Sequence, residues 1–191
     1  MSSVRIELNF LPELSVLQIA LVEELFRAHQ TAARNNDNVS KAVFGLAYVG
    51  SGSFVQALAA AVLTFGSEAG LHGPTLGARK LLVSDTSISD ISDILASGRR
   101  VPGFGNSFFK NEIDPAFKKL AESIASFFPK LDERILELAQ HLYRSTGTRL
   151  YPNAAMYTAA VCEICECPAG KEFVFLGLPR IPVWAEQMCH E

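Results

Sequence analysis

Three segments carry the residue types that chemistry needs, and each interrupts a helical pattern. They are "GLHGPT" (Gly70 to Thr75), "RRVPGFGNSFFKNEIDP" (Arg99 to Pro115) and "LYPNAAMY" (Leu150 to Tyr157). Glycines beside polar groups let a backbone approach a ligand closely and aim its amides at it. His72 supplies an imidazole, and Asn106 an amide that can donate to a carbonyl oxygen but cannot act as an acid or base. Taken singly, each feature also has an ordinary reading. A Gly-x-Gly turn is common, and a histidine after an apolar helix is more often structural than catalytic. Arg99 and Arg100 follow a helix end, where cations suit the negative dipole.

The elements that must position these segments are helical. Leu14, Leu17, Leu21 and Leu25 recur at three- and four-residue steps after Pro12, with Glu23, Glu24 and Arg27 on other faces. "KAVFGLAYV" and "SFVQALAAAVLTF" are apolar nearly all round, which predicts two centrally buried helices separated near Gly50 and Gly52. Gly66 to Gly73 breaks the second. "TSISDISDILASG" has both helix-end signals, an opening Thr/Ser with acids and a closing Gly98. "PAFKKLAESIASFF" and "LDERILELAQHLY" form an amphipathic pair divided at Pro129, and "PNAAMYTAAVCEI" is a further buried helix started by Pro152. Only "KEFVFLG" has the look of a strand, and its helical surroundings speak against one. The fold class is all-α.

Composition narrows the function. The 191 residues are 49% hydrophobic and 19% charged, enough for a packed interior in one domain or two lobes sharing a core. A net charge of −3 argues against nucleic acid as partner, while local basic groups leave small anionic ligands open. Acidic residues within the apolar N-terminal stretch are unlike a secretory signal, and no uncharged run reaches membrane-spanning length. Of the four cysteines, Cys162, Cys165, Cys167 and Cys189, the first three crowd within six positions, a poor disulfide framework, so a soluble, cytoplasmic, reduced protein is expected. "CEICEC" with His190 suggests a zinc site, but there is no second Cys-x-x-Cys and no close histidine pair. Small buried thiols are the better reading.

The order and spacing of "LHG", "VPGFG", "YPN" and the closing "LPRIPVW" resemble the citrate synthase family, including its citryl-CoA and methylcitrate relatives, from about Asn35 to Gln187. The resemblance implies a helical fold of large and small domains and a homodimer. Residues 1–85 and 145–191 would form the large-domain part, and 86–144 the small-domain part on the coenzyme A side. By the same resemblance, a longer N-terminal lead-in of the family is expected to be absent here. The implied activity makes or breaks a carbon–carbon bond beside an acyl-CoA thioester, as a lyase or acyltransferase. Such chemistry needs a base and hydrogen-bond donors at the enol and ketone oxygens.

Carried over residue by residue, His72 matches the enol-stabilising histidine, and Asn106 replaces the ketone-polarising one. Ala155 stands at the base position, Ala116 at an arginine position, and Asn35 loosely at a substrate histidine. Arg180 matches the carboxylate-binding arginine. Val101, Pro102, Gly103, Phe104 and Gly105 match the adenine-reading loop, with Arg99, Arg100 and Lys110 to meet phosphates. No cofactor is expected to be held permanently, and the CoA thioester is the cosubstrate beside a small carboxylic acid. Without the aspartate and the second histidine, ordinary citrate synthesis is not expected. The alternative is a non-catalytic CoA- or carboxylate-binding relative, or a subunit paired with a full-length family member. Glu163, about two helical turns beyond Ala155, and Tyr157 are replacement bases to consider. His29 and His141 lie on amphipathic helices and are expected to face water or a partner.

Overall fold

The computed structural model describes residues 11–36, 38–66 and 70–188. The N-terminal stretch through Phe10, and the Cys189 and His190 of the zinc reading, lie outside the described residues. Among the described residues, ten α-helices and one 3₁₀ turn follow in order: α1 (Val16–Asn36), α2 (Asn38–Ser51), α3 (Phe54–Gly66), α4 (His72–Val83), α5 (Ser87–Ala96), the turn Pro115–Phe117, α6 (Lys118–Phe127), α7 (Pro129–Thr146), α8 (Ala154–Ile164), α9 (Phe173–Gly177) and α10 (Ile181–Met188). "KEFVFLG" is helical, and the only strand-like pairing among the described residues is an isolated bridge between Phe104 and Pro152.

Local signals explain most boundaries. Pro129 opens α7 as its first residue, where a missing N–H loses nothing, and Gly147 closes it at φ +67. Asn153 caps α8 by accepting from the Ala155 amide at 2.9 Å. His72 and Gly73, expected in a break, instead form the first turn of α4.

Helix α8 is the centre of the molecule. Ala155 through Cys162 are all buried, as apolarity on every side requires. Helix α1 lays Leu21, Leu25, Ala28, His29 and Ala32 against this core. Trp184 of α10 packs edge-on to Phe65 of α3, with ring centroids 5.2 Å apart.

The expectation of central burial fails for α2 and α3. They close on each other through Phe44, Ala57 and Ala61, where the small residues allow near approach. Two helices cannot cover each other's outer faces, however, and Leu46, Val49, Val55 and Leu63 remain at least 74% exposed. No helix among the described residues is long and apolar enough to cross a membrane.

Candidate functional site

The loop Val101–Asn106 is clamped to the segment that starts α8. Gly105 N–H donates to the Tyr151 carbonyl at 2.9 Å, and Asn153 N–H donates to the Gly103 carbonyl at 2.9 Å. The Asn153 amide group donates to Gly105 O at 2.8 Å while its oxygen caps α8. Gly103 has φ +83, and a Cβ there would lie 2.7 Å from Met156 Cε and 2.9 Å from Ala78 Cβ, so only glycine suits both backbone and space.

Beside this clamp opens a cavity of about 750 Å³. It is lined by Arg99, Arg100 and Lys110, by Val101, Phe104, Gly105 and Asn106 of the loop, and by Arg180 and Asp114. Asn106 turns its Oδ1 to the Phe108 amide at 2.8 Å and the Phe109 amide at 3.5 Å, which folds the loop and leaves its NH₂ to donate. Asp114 is 6% exposed, and its Oδ1 accepts from the Ala116 amide at 3.0 Å. Burial raises its carboxyl above the ordinary carboxylate range, against lowering effects of that amide and of Arg180.

Arg180 is held by His29, which faces the interior and not water or a partner. His29 is fully buried, because position 29 lies one turn past Leu25 on the stripe that faces the core. Thr158 donates to Ala154 O at 2.7 Å, so its oxygen accepts from His29 Nε2 at 2.8 Å. That tautomer leaves Nδ1 as acceptor for the Arg180 guanidinium, with Nε at 3.1 Å and an Nη at 2.9 Å. Burial first, and then Arg180, hold the His29 pKa well below 6.5. The guanidinium also lies 4.8 Å from the centre of the Phe65 ring. His141, by contrast, stays partly exposed on α7.

The structure does not bring every expected residue to the cavity. Pro102 and Gly103 do not line it: Pro102 lies against Gly77, and Gly103 against Met156 and Ala78. His72 is absent from the cavity wall: its Nδ1 donates to Gly66 O at 3.2 Å, and its Nε2 lies 3.9 Å from Glu172 Oε2, both atoms buried without a hydrogen bond among the described residues. With Nδ1–H used on a carbonyl, a neutral His72 offers only a lone pair at Nε2. Glu163 is bound to Arg79 rather than available as a base. Tyr157 faces a different hollow, with Asp132 and Arg149, and burial followed by Asp132 pushes its phenol up. Ala155 is buried and Asn35 exposed. Cys162, Cys165 and Cys167 are buried free thiols, and the described residues contain no group of three or more His, Cys, Asp or Glu placed to hold a metal ion.

These features define an all-helical protein in which a glycine-rich loop, pinned to a helix start, borders a cationic cavity. The sequence profile described as "Citrate synthase, C-terminal domain" matches residues 50–191, and the chain belongs to that family. Two solved structures show the fold. Citryl-CoA lyase from Hydrogenobacter thermophilus aligns with a TM-score of 0.69 at 20% identity, covering 94% of this chain and 71% of the lyase. Citrate synthase from Thermotoga maritima MSB8 aligns with a TM-score of 0.76 at 19% identity, covering 93% of this chain and 50% of the synthase. No curated protein matches the sequence.

Proposed function

We propose that the cavity binds a coenzyme A thioester, and that the chain makes or breaks a carbon–carbon bond beside it as a lyase or acyltransferase. The observation that carries this reading is that Arg99, Arg100 and Lys110, the clamped glycine loop and the buried Arg180 all line one cavity. The loop can present backbone groups to an adenine, the first three cations meet phosphates, and Arg180 holds a substrate carboxylate through its fork. Asn106 donates to a substrate carbonyl. The thioester is a cosubstrate and not a resident cofactor. A cytoplasmic setting suits three buried thiols that form no disulfide.

Thermal unfolding with CoA, acetyl-CoA, oxaloacetate and citrate, each added separately, tests this. Binding to the folded chain alone adds about 2.7 kcal/mol at a hundredfold excess over Kd. A rise in Tm with the CoA compounds supports the reading, and no rise with any of the four sinks it. A second reading, a non-catalytic relative, is favoured by Ala155, which cannot exchange a proton, and by Asn106, which cannot act as acid or base. It predicts binding without turnover.

The apolar outer faces of α2 and α3 fit a second copy of this chain in either reading. Sedimentation is expected to give the mass of two chains, reduced to one in Leu46→Glu/Leu63→Glu. A wild-type monomer would point instead to a full-length family member as partner.

A further inference from the structure

Ala155 and the tied Glu163 leave the proposed reaction without a proton acceptor at either position. The cavity contains one. Among the described residues lining it, Asp114 carries the only carboxylate, and no histidine, cysteine or tyrosine lines it. Its backbone is restrained by Pro115 and by its place as cap of the 3₁₀ turn, where Oδ1 accepts from the Ala116 amide. Oδ2 makes no hydrogen bond among the described residues, and Asp114 lines a cavity bordered by Arg99, Arg100, Lys110 and Arg180. Resting on the coenzyme A reading, we propose that Asp114 is the general base, removing a proton from the carbon next to the thioester.

The step is balanced by the thioester alone. The C–H bond breaks, its electron pair forms the enolate double bond, the carbonyl π pair moves to oxygen, and the proton goes to Asp114 Oδ2. The nearby guanidinium and ammonium groups favour the enolate charge as it develops. A ketone substrate would then accept the new carbon–carbon bond. Without one, the proton returns, or a deuteron does in heavy water. Burial of the carboxyl works in the same direction, since a more basic carboxylate accepts a carbon-bound proton more readily.

The full chain is incubated with acetyl-CoA in D₂O and the acetyl methyl signal followed by proton NMR, with acetyl-CoA binding measured in parallel by thermal shift. Asp114→Asn keeps the oxygen that caps the turn but cannot take the proton. It is expected to slow exchange by about 100-fold or more while the acetyl-CoA shift is retained. The wild-type rate should also rise with pH as the carboxylate ionises, and the variant should lose that rise. Exchange at the wild-type rate in Asp114→Asn, or a wild type that binds acetyl-CoA without exchanging, overturns the assignment. A wild type that does not bind acetyl-CoA removes the coenzyme A reading itself, and this inference with it.

Discussion

Replacing Arg79 by methionine is expected to lower the unfolding free energy by about 3–5 kcal/mol, the loss typical of breaking a buried ion pair by removing one partner. The guanidinium joins three parts of the fold. From α4 it donates through Nε to Glu163 near the end of α8, through Nη1 to Glu172 Oε1 at 2.7 Å, and through Nη2 to the Cys167 carbonyl at 2.6 Å. Burial disfavours its charge, but the bonds to the two glutamates outweigh that and raise its pKa. The glutamates differ in exposure. Glu163 keeps partial contact with solvent, whereas Glu172 is 1% exposed. Methionine fills similar space with no donor, so Glu172 would keep a buried carboxylate without its counter-charge. The prediction is checked by urea unfolding, with midpoint and slope both fitted. Arg79→Met/Glu172→Gln should recover a large part of the loss, because a neutral amide needs no compensating charge. A loss below about 1 kcal/mol in the single variant would place the pair among weak surface contacts.

The second expectation concerns pH. Because burial and Arg180 hold folded His29 below its unfolded value of 6.5, the unfolded chain binds the proton first as pH falls. Stability from this residue is therefore complete above pH 6.5 and lost below it, at a limiting rate of about 1.4 kcal/mol per pH unit, until the folded pKa is reached. Asp114 acts in the opposite sense: its raised folded pKa adds stability as pH falls toward 3.8. The difference between wild type and His29→Gln isolates the histidine. Glutamine can accept from Arg180 and donate to Thr158 without titrating. Denaturation midpoints from pH 7.5 to 5 should decline more steeply for wild type than for the variant. Parallel profiles would mean that the imidazole does not remain neutral in the folded chain.

The sequence and the structure agree where the signal is local. Pro129, which divides the amphipathic pair, is the first residue of α7, whereas α8 begins at Ala154 behind the Asn153 cap and not at Pro152. The "VPGFG" and "YPN" segments were legible for a related reason. Their geometry depends on backbone conformation and close approach, which glycine and proline restrict, and the clamp between them joins those two motifs directly. The burial of His29 departs from its polarity, although its position carries a clue. The spacing Leu21, Leu25, Ala28 and Ala32 defines a stripe that includes residue 29, and the polarity of histidine obscured it.

The helical fold and the family can be read from the chain alone, since periodicity and ordered motifs are properties of neighbouring residues. Which groups meet depends on packing between distant segments. His72 and Asp114 lie in motif-bearing segments, yet one turns toward Glu172 and the other lines the cavity. Arg180 is 151 positions from His29, and Arg79 is 93 from Glu172. Such pairings depend on how helices cross and which faces they bury, which no local pattern encodes.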